Sequence, residues 1–167
     1  IKAMNANLSE VILIESLDVV PANFHARYSA QLRYYRYQCY TGNNVLFWNQ
    51  SWITGQLDQS ILQSVAETVV GEHDFLSFCK FRIDMKSTVC KIYESVWKKQ
   101  DKMLIYYVSG NRFLHHMVRY LTGTMVEISR GKFTIESFLN LLNNPEKNVQ
   151  IFKAPPQGLI LYKVDYA

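Results

Sequence analysis

The order in which strand-like and helix-like segments follow one another constrains this fold most. Branched or alternating apolar residues predict strands at residues 11–20, 88–97, 104–109 and 159–166, and a strand followed by the start of a loop at residues 33–47. Apolar residues at helical spacing predict three helices, over residues 58–71, 113–128 and 135–142. The predicted strands and helices do not alternate regularly along the chain, as they would in a βαβ fold. This order favours an α+β fold with an antiparallel sheet.

Local signals mark where several of these elements begin and end. Asp58 is expected to cap the first helix, and Gly71 suits its C-terminal cap. A polar turn at residues 98–102 joins two of the strands, and a Thr-Gly-Asn-Asn turn signal lies at residues 41–44. The last helix should stop at residues 143–145, where two asparagines precede a proline.

Composition narrows the class of protein further. The chain has 167 residues, 49% of them hydrophobic and 19% charged, which fits one globular domain and excludes a disordered chain. No apolar stretch approaches the roughly 18 residues needed to span a bilayer. The three cysteines are an odd, widely spaced set, unlike a disulfide framework or a metal clip. We therefore expect a reducing, cytoplasmic location without a membrane segment.

The net charge of +4 is concentrated in one segment. Residues 80–102 contain seven basic and three acidic side chains, so the rest of the chain is balanced at 11 against 11. A basic surface on an otherwise neutral protein indicates a polyanionic partner. The alternative is a solvated pair of strands with lysines on its open face.

A run of tyrosine and arginine lies at residues 33–37. On a strand, Arg33, Tyr35 and Tyr37 share one face, and Tyr34 and Arg36 share the other. Tyrosine beside arginine on a sheet face could stack a nucleobase and hold a phosphate. The alternative is ordinary cross-strand packing with the tyrosine hydroxyls at the rim.

The helix predicted at residues 113–128 carries a second candidate site. Its apolar stripe would face the core, and His116, Arg119 and Gly123 fall on the opposite face. Glycine costs a helix about 1 kcal/mol relative to alanine, so something should pack very close to Gly123. That neighbour could be an anion or carboxylate held by Arg119, or a helix–sheet contact in which Arg119 forms a structural salt bridge.

The sequence gives little support for metal or nucleotide chemistry. His115 and His116 are adjacent on the predicted helix and point about 100° apart, so they could not share one ion. The motifs for a serine hydrolase nucleophile and for phosphate-binding glycine loops are absent from these residues. These residues therefore predict neither a metal site nor a nucleotide phosphate loop.

Several segments, in their order and spacing, resemble the TruA family of tRNA pseudouridine synthases. The resemblance covers essentially the whole chain and is carried by NANL at 5–8, FHARYSA at 24–30, RYYRY at 33–37, GEHDFLSF at 71–78, KSTV at 86–89, NRFLHHMVRYLTGTMVEISRGK at 111–132 and APPQGLIL at 154–161.

This resemblance implies an RNA isomerase without cofactors. Members convert uridine to pseudouridine at tRNA positions 38 to 40, in the anticodon stem-loop. The base is flipped out, its bond to the ribose is cut, and the ring is rejoined through carbon 5. The family also implies an antiparallel sheet with helices on one side, a homodimer, and a positively charged cleft for the tRNA.

The resemblance assigns roles to individual residues. Tyr35 is implied to stack on the flipped base, Arg119 to pair with the catalytic aspartate, and Leu159 to line the pocket. The side chains expected to bind RNA are Arg27, Arg33, Arg36, Lys86 and His116.

One part of the family pattern is missing. The nucleophilic aspartate of the family lies in a GRTDAG motif upstream of the NANL-type segment, and residues 1–167 contain no such motif. We therefore expect residues 1–167 to form the C-terminal portion of a catalytic domain. The N-terminal lobe would be absent, the sheet incomplete at its N-terminus, and the chain inactive alone. Arg119 would then recruit a neighbouring acid, an anion or water, or the cleft would remain open. The alternative is a non-catalytic RNA-binding or dimerisation module.

Overall fold

The computed structural model of this chain describes residues 1–43 and 45–166. Its strands are β1 (Ala30–Tyr40), β2 (Trp52–Ile53), β3 (Gly71–Asp74), β4 (Val89–Gln100), β5 (Met103–Gly110) and β6 (Leu159–Tyr166). Its α-helices are α1 (Lys2–Asn5), α2 (Gln59–Glu67), α3 (Met117–Ser129) and α4 (Ile135–Asn143). No helix in the described ranges is long and apolar enough to cross a membrane.

The six strands form one sheet in which β1 is central. The order is β2-β1-β5-β4-β3, and β6 pairs with β1 along residues 30–37. All pairings in the described sheet are antiparallel except the two-residue contact between β1 and β2. Helices α2, α3 and α4 pack against β4, β1 and β3, on one side of the sheet. The predicted α+β fold with an antiparallel sheet is therefore confirmed.

The core lies between the sheet and these helices. Trp97 of β4 stacks on Tyr106 of β5 with ring centroids 5.1 Å apart, and both side chains are buried. The Trp97 indole N–H points at the Met125 sulfur of α3, 3.5 Å away. Burying each such side chain contributes about 1.5–3 kcal/mol, so these contacts fix α3 on the sheet.

The predicted cap of α2 is confirmed at its start and wrong at its end. The Asp58 carboxylate accepts hydrogen bonds from the backbone N–H groups of Ser60 and Ile61, at 2.9 and 3.2 Å. The helix ends at Glu67 with Thr68 as its C-cap. Gly71 instead opens β3 with a φ of +118°, a conformation that suits glycine and strains other residues.

The hairpin of β4 and β5, the helix α4 and the closing strand β6 are confirmed. The hairpin turn is shorter than predicted, because Gln100 pairs with Met103 and only two residues lie between them. Asp101 takes a left-handed φ of 53° in this turn, which aspartate tolerates better than most side chains. In the predicted turn at residues 41–44, the Thr41 N–H donates to the Lys102 carbonyl at 2.9 Å, and Asn44 lies outside the described residues.

The strand predicted at residues 11–20 is wrong. This segment is irregular, and Val11, Leu13 and Val19 are largely or fully exposed. Its described backbone joins no strand, although Ile14 exchanges two hydrogen bonds with the Asn5 side chain at 2.8 and 2.9 Å. Branched side chains favour strands only where a neighbouring strand and a buried face are available, and here the described residues supply neither.

Helix α3 begins four residues later than predicted. His116 adopts a left-handed φ of 65° and is the N-cap, so the helix starts at Met117. A left-handed residue cannot continue a right-handed helix, which leaves Phe113 and Leu114 in an irregular segment. This break lets Phe113 turn towards β1.

Candidate nucleic-acid interface

An open cleft of about 1040 Å³ lies beside the first half of β1. Its aromatic and apolar lining includes Tyr35, Phe113, Leu161 and Val164. Five basic side chains and one acidic side chain also line it: Arg27, Arg33, Arg82, Lys86, Arg112 and Asp84. The cleft therefore combines an aromatic surface with a positive charge.

Tyr35 is held at this cleft by both neighbouring strands. It lies opposite Val108 on β5 and Leu161 on β6. Its ring packs edge-to-face on Phe113, with centroids 5.0 Å apart and planes at 79°. Burial raises the pKa of the Tyr35 hydroxyl, so this group is protonated at neutral pH. Tyr35 therefore presents a neutral aromatic ring to the cleft.

The basic side chains around the cleft differ in whether they form hydrogen bonds or ion pairs with the rest of the protein. Arg82 binds the Asp84 carboxylate through two hydrogen bonds of 3.0 and 2.9 Å, which neutralises the one acid among the described lining residues. Arg112 donates to the Ser87 carbonyl at 3.1 Å. The side chains of Arg27 and Lys86 make no hydrogen bond or ion pair with the described residues. Their charges are therefore free to bind an anion.

The Arg33 side chain has several partners inside the protein. Its guanidinium donates to the carbonyl oxygens of Arg27, Ala30 and Asn111. Arg36 is not brought to the cleft at all. It lies on the other face of the sheet, 6.0 Å from the Tyr162 ring. Its Nε atom is buried there without a hydrogen-bond partner among the described residues.

Arg119 lies in the first turn of α3 and faces the chain segment that precedes β6. Its Nε donates to the Ala154 carbonyl at 2.7 Å, and the Ala154 N–H donates back to the Arg119 carbonyl at 3.0 Å. Within residues 1–43 and 45–166, no carboxylate forms an ion pair with Arg119. Its Nη groups therefore remain available for an acid.

The close approach predicted at Gly123 is confirmed. A Cβ atom there would collide with the Phe152 carbonyl oxygen and lie 2.7 Å from the Ala154 nitrogen. The neighbour is thus the chain's own backbone at residues 152–154, one turn of α3 beyond Arg119. The glycine lets this segment, and with it the Ala154 carbonyl, reach the helix.

Positive groups collect around the start of α3. The His116 ring stacks on the His115 ring at 3.9 Å, and His115 lines the cleft. Burial, together with the nearby His115, Lys153, Arg119 and Lys80, lowers the pKa of His116 to about 4. His116 is therefore neutral at pH 7, in surroundings that repel a further positive charge.

Leu159 lies on β6 opposite Tyr37, where it packs against the core. Leu161, two residues later on the same strand, is the β6 leucine that lines the cleft beside Tyr35. The Tyr37 hydroxyl donates to the Pro155 carbonyl at 2.6 Å, which ties the APPQGL segment to β1. This bond fixes against β1 the segment that also contacts Arg119 through Ala154.

Arg82, Asp84, Arg112 and Phe113 are among the cleft residues to which the sequence analysis assigned no role. Arg82 and Asp84 belong to the basic segment at residues 80–102, and the other two belong to the NRFLHHMVR motif. Loops from distant parts of the chain bring these residues together, so their spacing in the sequence does not predict that they meet. The sequence could have identified them only through the segment and the motif to which they belong.

Among the described residues, no three His, Cys, Asp or Glu side chains converge as a metal site would require. The three cysteines are buried free thiols, and burial raises the pKa of Cys90 to about 11.

Comparison with known proteins agrees with the motifs. A family model described as tRNA pseudouridine synthase matches residues 65–167. A protein named tRNA pseudouridine synthase A from Chlorobium limicola is 36% identical over 165 residues, which cover 98% of this chain and 68% of that protein. Proteins of the same name from Dictyoglomus turgidum and Anoxybacillus flavithermus are 37% and 32% identical over 99% of this chain, and each match covers 68% of the relative. The chain belongs to the tRNA pseudouridine synthase family.

Proposed function

We propose that the cleft beside β1 binds tRNA and holds a flipped uridine against the Tyr35 ring. The observation that carries this proposal is the combination of a partly exposed aromatic ring with five basic side chains around it. Base–aromatic stacking contributes about 1–3 kcal/mol per base, and arginine and lysine supply the phosphate contacts. Membership of the family and the names of its relatives support tRNA as the RNA.

The proposed reaction is the isomerisation of uridine to pseudouridine in the anticodon stem-loop, at positions 38 to 40. The bond between ribose carbon 1′ and base nitrogen 1 breaks, and a bond forms between carbon 1′ and carbon 5. Carbon 5 loses its proton and nitrogen 1 gains one, so the reaction needs no oxidant, reductant or cofactor. Tyr35 would orient the base during its rotation, and Leu159 would support the pocket from β6.

Arg119 would position the nucleophile of this reaction. Its Nε is already bound to Ala154, and its Nη groups can bind a carboxylate through two hydrogen bonds. We propose that the partner is the catalytic aspartate of the GRTDAG motif, which residues 1–167 do not contain. Residues 1–167 would then form the C-terminal portion of the catalytic domain, in a protein that acts as a homodimer.

Phosphate binding is proposed for the cations that face the cleft. Arg27 and Lys86 are the best candidates because their side chains have no hydrogen-bond or ion-pair partner among the described residues. Arg82 and Arg112 lie beside them. Arg36 could take part only if RNA also reached the opposite face of the sheet, and His116 could contribute a neutral ring and no charge.

The experiment is release of tritium from tRNA labelled at carbon 5 of uridine. We expect no release by this chain alone, because Arg119 has no aspartate partner among the described residues. Asp84 is the acid that lines the cleft, so the Asp84→Asn variant is the control. Tritium release by the chain that is lost in Asp84→Asn would make Asp84 the nucleophile and overturn the role proposed for the GRTDAG aspartate.

A non-catalytic RNA-binding module is the second candidate. It is favoured by the pairing of Asp84 with Arg82, because the carboxylate that lines the cleft is then already neutralised. Both candidates predict tRNA binding by this chain that weakens steeply with salt. They differ in the response of a longer protein that contains the GRTDAG segment. Tyr35→Ala and Arg119→Ala should abolish tritium release by such a protein if it is an enzyme. The absence of release from the unaltered longer protein would leave the binding module.

A further inference from the structure

Arg33 stands out among the cleft cations because its guanidinium binds three backbone carbonyls. Its Nη1 donates to the carbonyl oxygens of Ala30 at 2.8 Å and Asn111 at 2.5 Å, and its Nη2 donates to that of Arg27 at 2.5 Å. A guanidinium has five N–H donors, so the protein itself uses three of them. Arg33 and Asn111 are 78 residues apart in sequence.

Two of these carbonyls, those of Arg27 and Asn111, belong to segments that form walls of the cleft, and the third, that of Ala30, belongs to β1 itself. Arg27 lies in the turn at residues 25–29, in which the Ser29 N–H donates to the His25 carbonyl at 2.8 Å. Asn111 begins the segment that carries Arg112 and Phe113. Asn111 is itself fixed to β4, because it exchanges hydrogen bonds with the Lys91 backbone at 2.9 and 3.0 Å. Arg33 therefore links β1 to both walls.

We propose that Arg33 is a positioning residue of the cleft, which holds the walls carrying Arg27, Arg112 and Phe113 in place for RNA. This inference rests on the proposed binding of tRNA in the cleft. It differs from the expectation that Arg33 binds a phosphate directly. A phosphate would have to compete with three internal acceptors, whereas the Arg27 guanidinium has none among the described residues.

The chemistry of the side chain makes this role testable. Lysine keeps the positive charge, but its donors all lie on one nitrogen atom, whereas Arg33 uses two nitrogen atoms to reach the three carbonyls. If Arg33 contributed mainly its charge to RNA binding, Arg33→Lys would retain most of the affinity. If Arg33 positions the walls, Arg33→Lys should behave like a loss of the side chain.

The experiment measures the affinity of the chain for an unmodified tRNA transcript at several salt concentrations. Arg33→Lys is expected to weaken binding about tenfold, as for the loss of one or two hydrogen bonds, without changing the slope of log K against log salt. Arg27→Gln removes a phosphate contact, so the magnitude of its slope should fall by about 0.7–0.9. Retained affinity in Arg33→Lys, or a loss of slope like that of Arg27→Gln, would overturn the inference.

Tyr166→Phe is the matched control for the turn at residues 25–29. The Tyr166 hydroxyl donates to the Ala26 carbonyl at 3.0 Å, so this variant removes one hydrogen bond to the same turn without changing any charge. We expect about a threefold loss of affinity, in keeping with one hydrogen bond, and no change of slope. A loss larger than that of Arg33→Lys would assign the positioning role to Tyr166 and count against Arg33.

Amide hydrogen exchange tests the same inference without RNA. In Arg33→Lys, the amides of residues 27–29 should exchange faster, while those of the β4–β5 hairpin keep their rates. Unchanged exchange at residues 27–29 would overturn the inference. If the unaltered chain fails to bind tRNA, the proposed function fails, and the exchange rates alone then decide whether Arg33 holds this wall.

Discussion

The two ends of helix α3 carry similar basic side chains in opposite electrostatic settings. At the C-terminal end, the buried Glu127 carboxylate pairs with Arg130 at 2.5 Å and Lys132 at 3.3 Å. Arg130 also donates to the Thr54 carbonyl at 2.8 Å. At the N-terminal end, Arg119 lies near His116 and has no acidic partner in the described parts of the chain.

This difference separates a structural charge from a functional one. The helix dipole favours cations at the C-terminal end and disfavours them at the N-terminal end. Arg130 therefore stabilises the fold in its position, whereas the cations around Arg119 raise the electrostatic energy of the fold. A carboxylate or a phosphate bound at the N-terminal end would remove that cost, in agreement with the proposed partner of Arg119.

The largest expected effect on stability comes from Gly123, midway along the helix. The positions of both helix ends depend on how this residue packs. Gly123→Ala would push a methyl group into the backbone of residues 152–154, and we expect a loss of about 3 kcal/mol in the free energy of unfolding. Urea unfolding measures it. The control is Gly131→Ala, where no atom lies within 4 Å and only the φ of +72° causes strain, costing about 1 kcal/mol. Equal losses would contradict crowding as the cause.

The next effect concerns the C-terminal end. Arg130→Met leaves the Glu127 carboxylate with Lys132 alone, and we expect the free energy of unfolding to fall by about 2 kcal/mol. This is less than for a fully buried pair, because the Arg130 side chain is 26% exposed. Adding Glu127→Gln to the same chain should restore part of the loss. A chain that unfolds at the same urea concentration with and without Arg130 would contradict the structural role.

The corresponding change at the N-terminal end should affect stability less. Arg119→Met loses the hydrogen bond to Ala154 but relieves repulsion from neighbouring cations, so we expect a change below about 1 kcal/mol in the free energy of unfolding. The same urea titration measures it beside Arg130→Met. If the two variants lose equal stability, the contrast between the ends of the helix is wrong.

The smallest effect is a dependence of stability on pH, because solvent screens the charge on the partly exposed His116 ring. The pKa of His116 is about 4 in the folded chain and about 6.5 in the unfolded chain, so between these values the unfolded state binds a proton that the folded state does not. Stability should therefore fall as the pH drops from about 6.5 towards 4. His116→Asn, which tolerates the left-handed backbone, should weaken this dependence in urea titrations across that window. An unchanged dependence would exclude His116 as its source.

Local sequence signals determined much of the fold. The Asp58 cap, the turn between β4 and β5 and helix α4 depend on contacts between residues a few positions apart, so the local sequence specifies them nearly alone. The two-residue period of a strand also separated Tyr35 from Arg36 onto opposite faces of β1 before any packing was known. The motifs at residues 24–37 and 111–132 indicated the family.

Only the tertiary structure decided which residues meet at the cleft. Residues 11–20 have strand-forming side chains but no strand beside them, and α3 starts at Met117 because His116 is left-handed. Arg33 and Asn111 meet across 78 residues, and no local pattern encodes that distance. The packing of the sheet and loops determines which side chains meet over such separations. The sequence therefore specified which cations are present. The fold determined which of them bind groups inside the protein and which remain free to bind a partner.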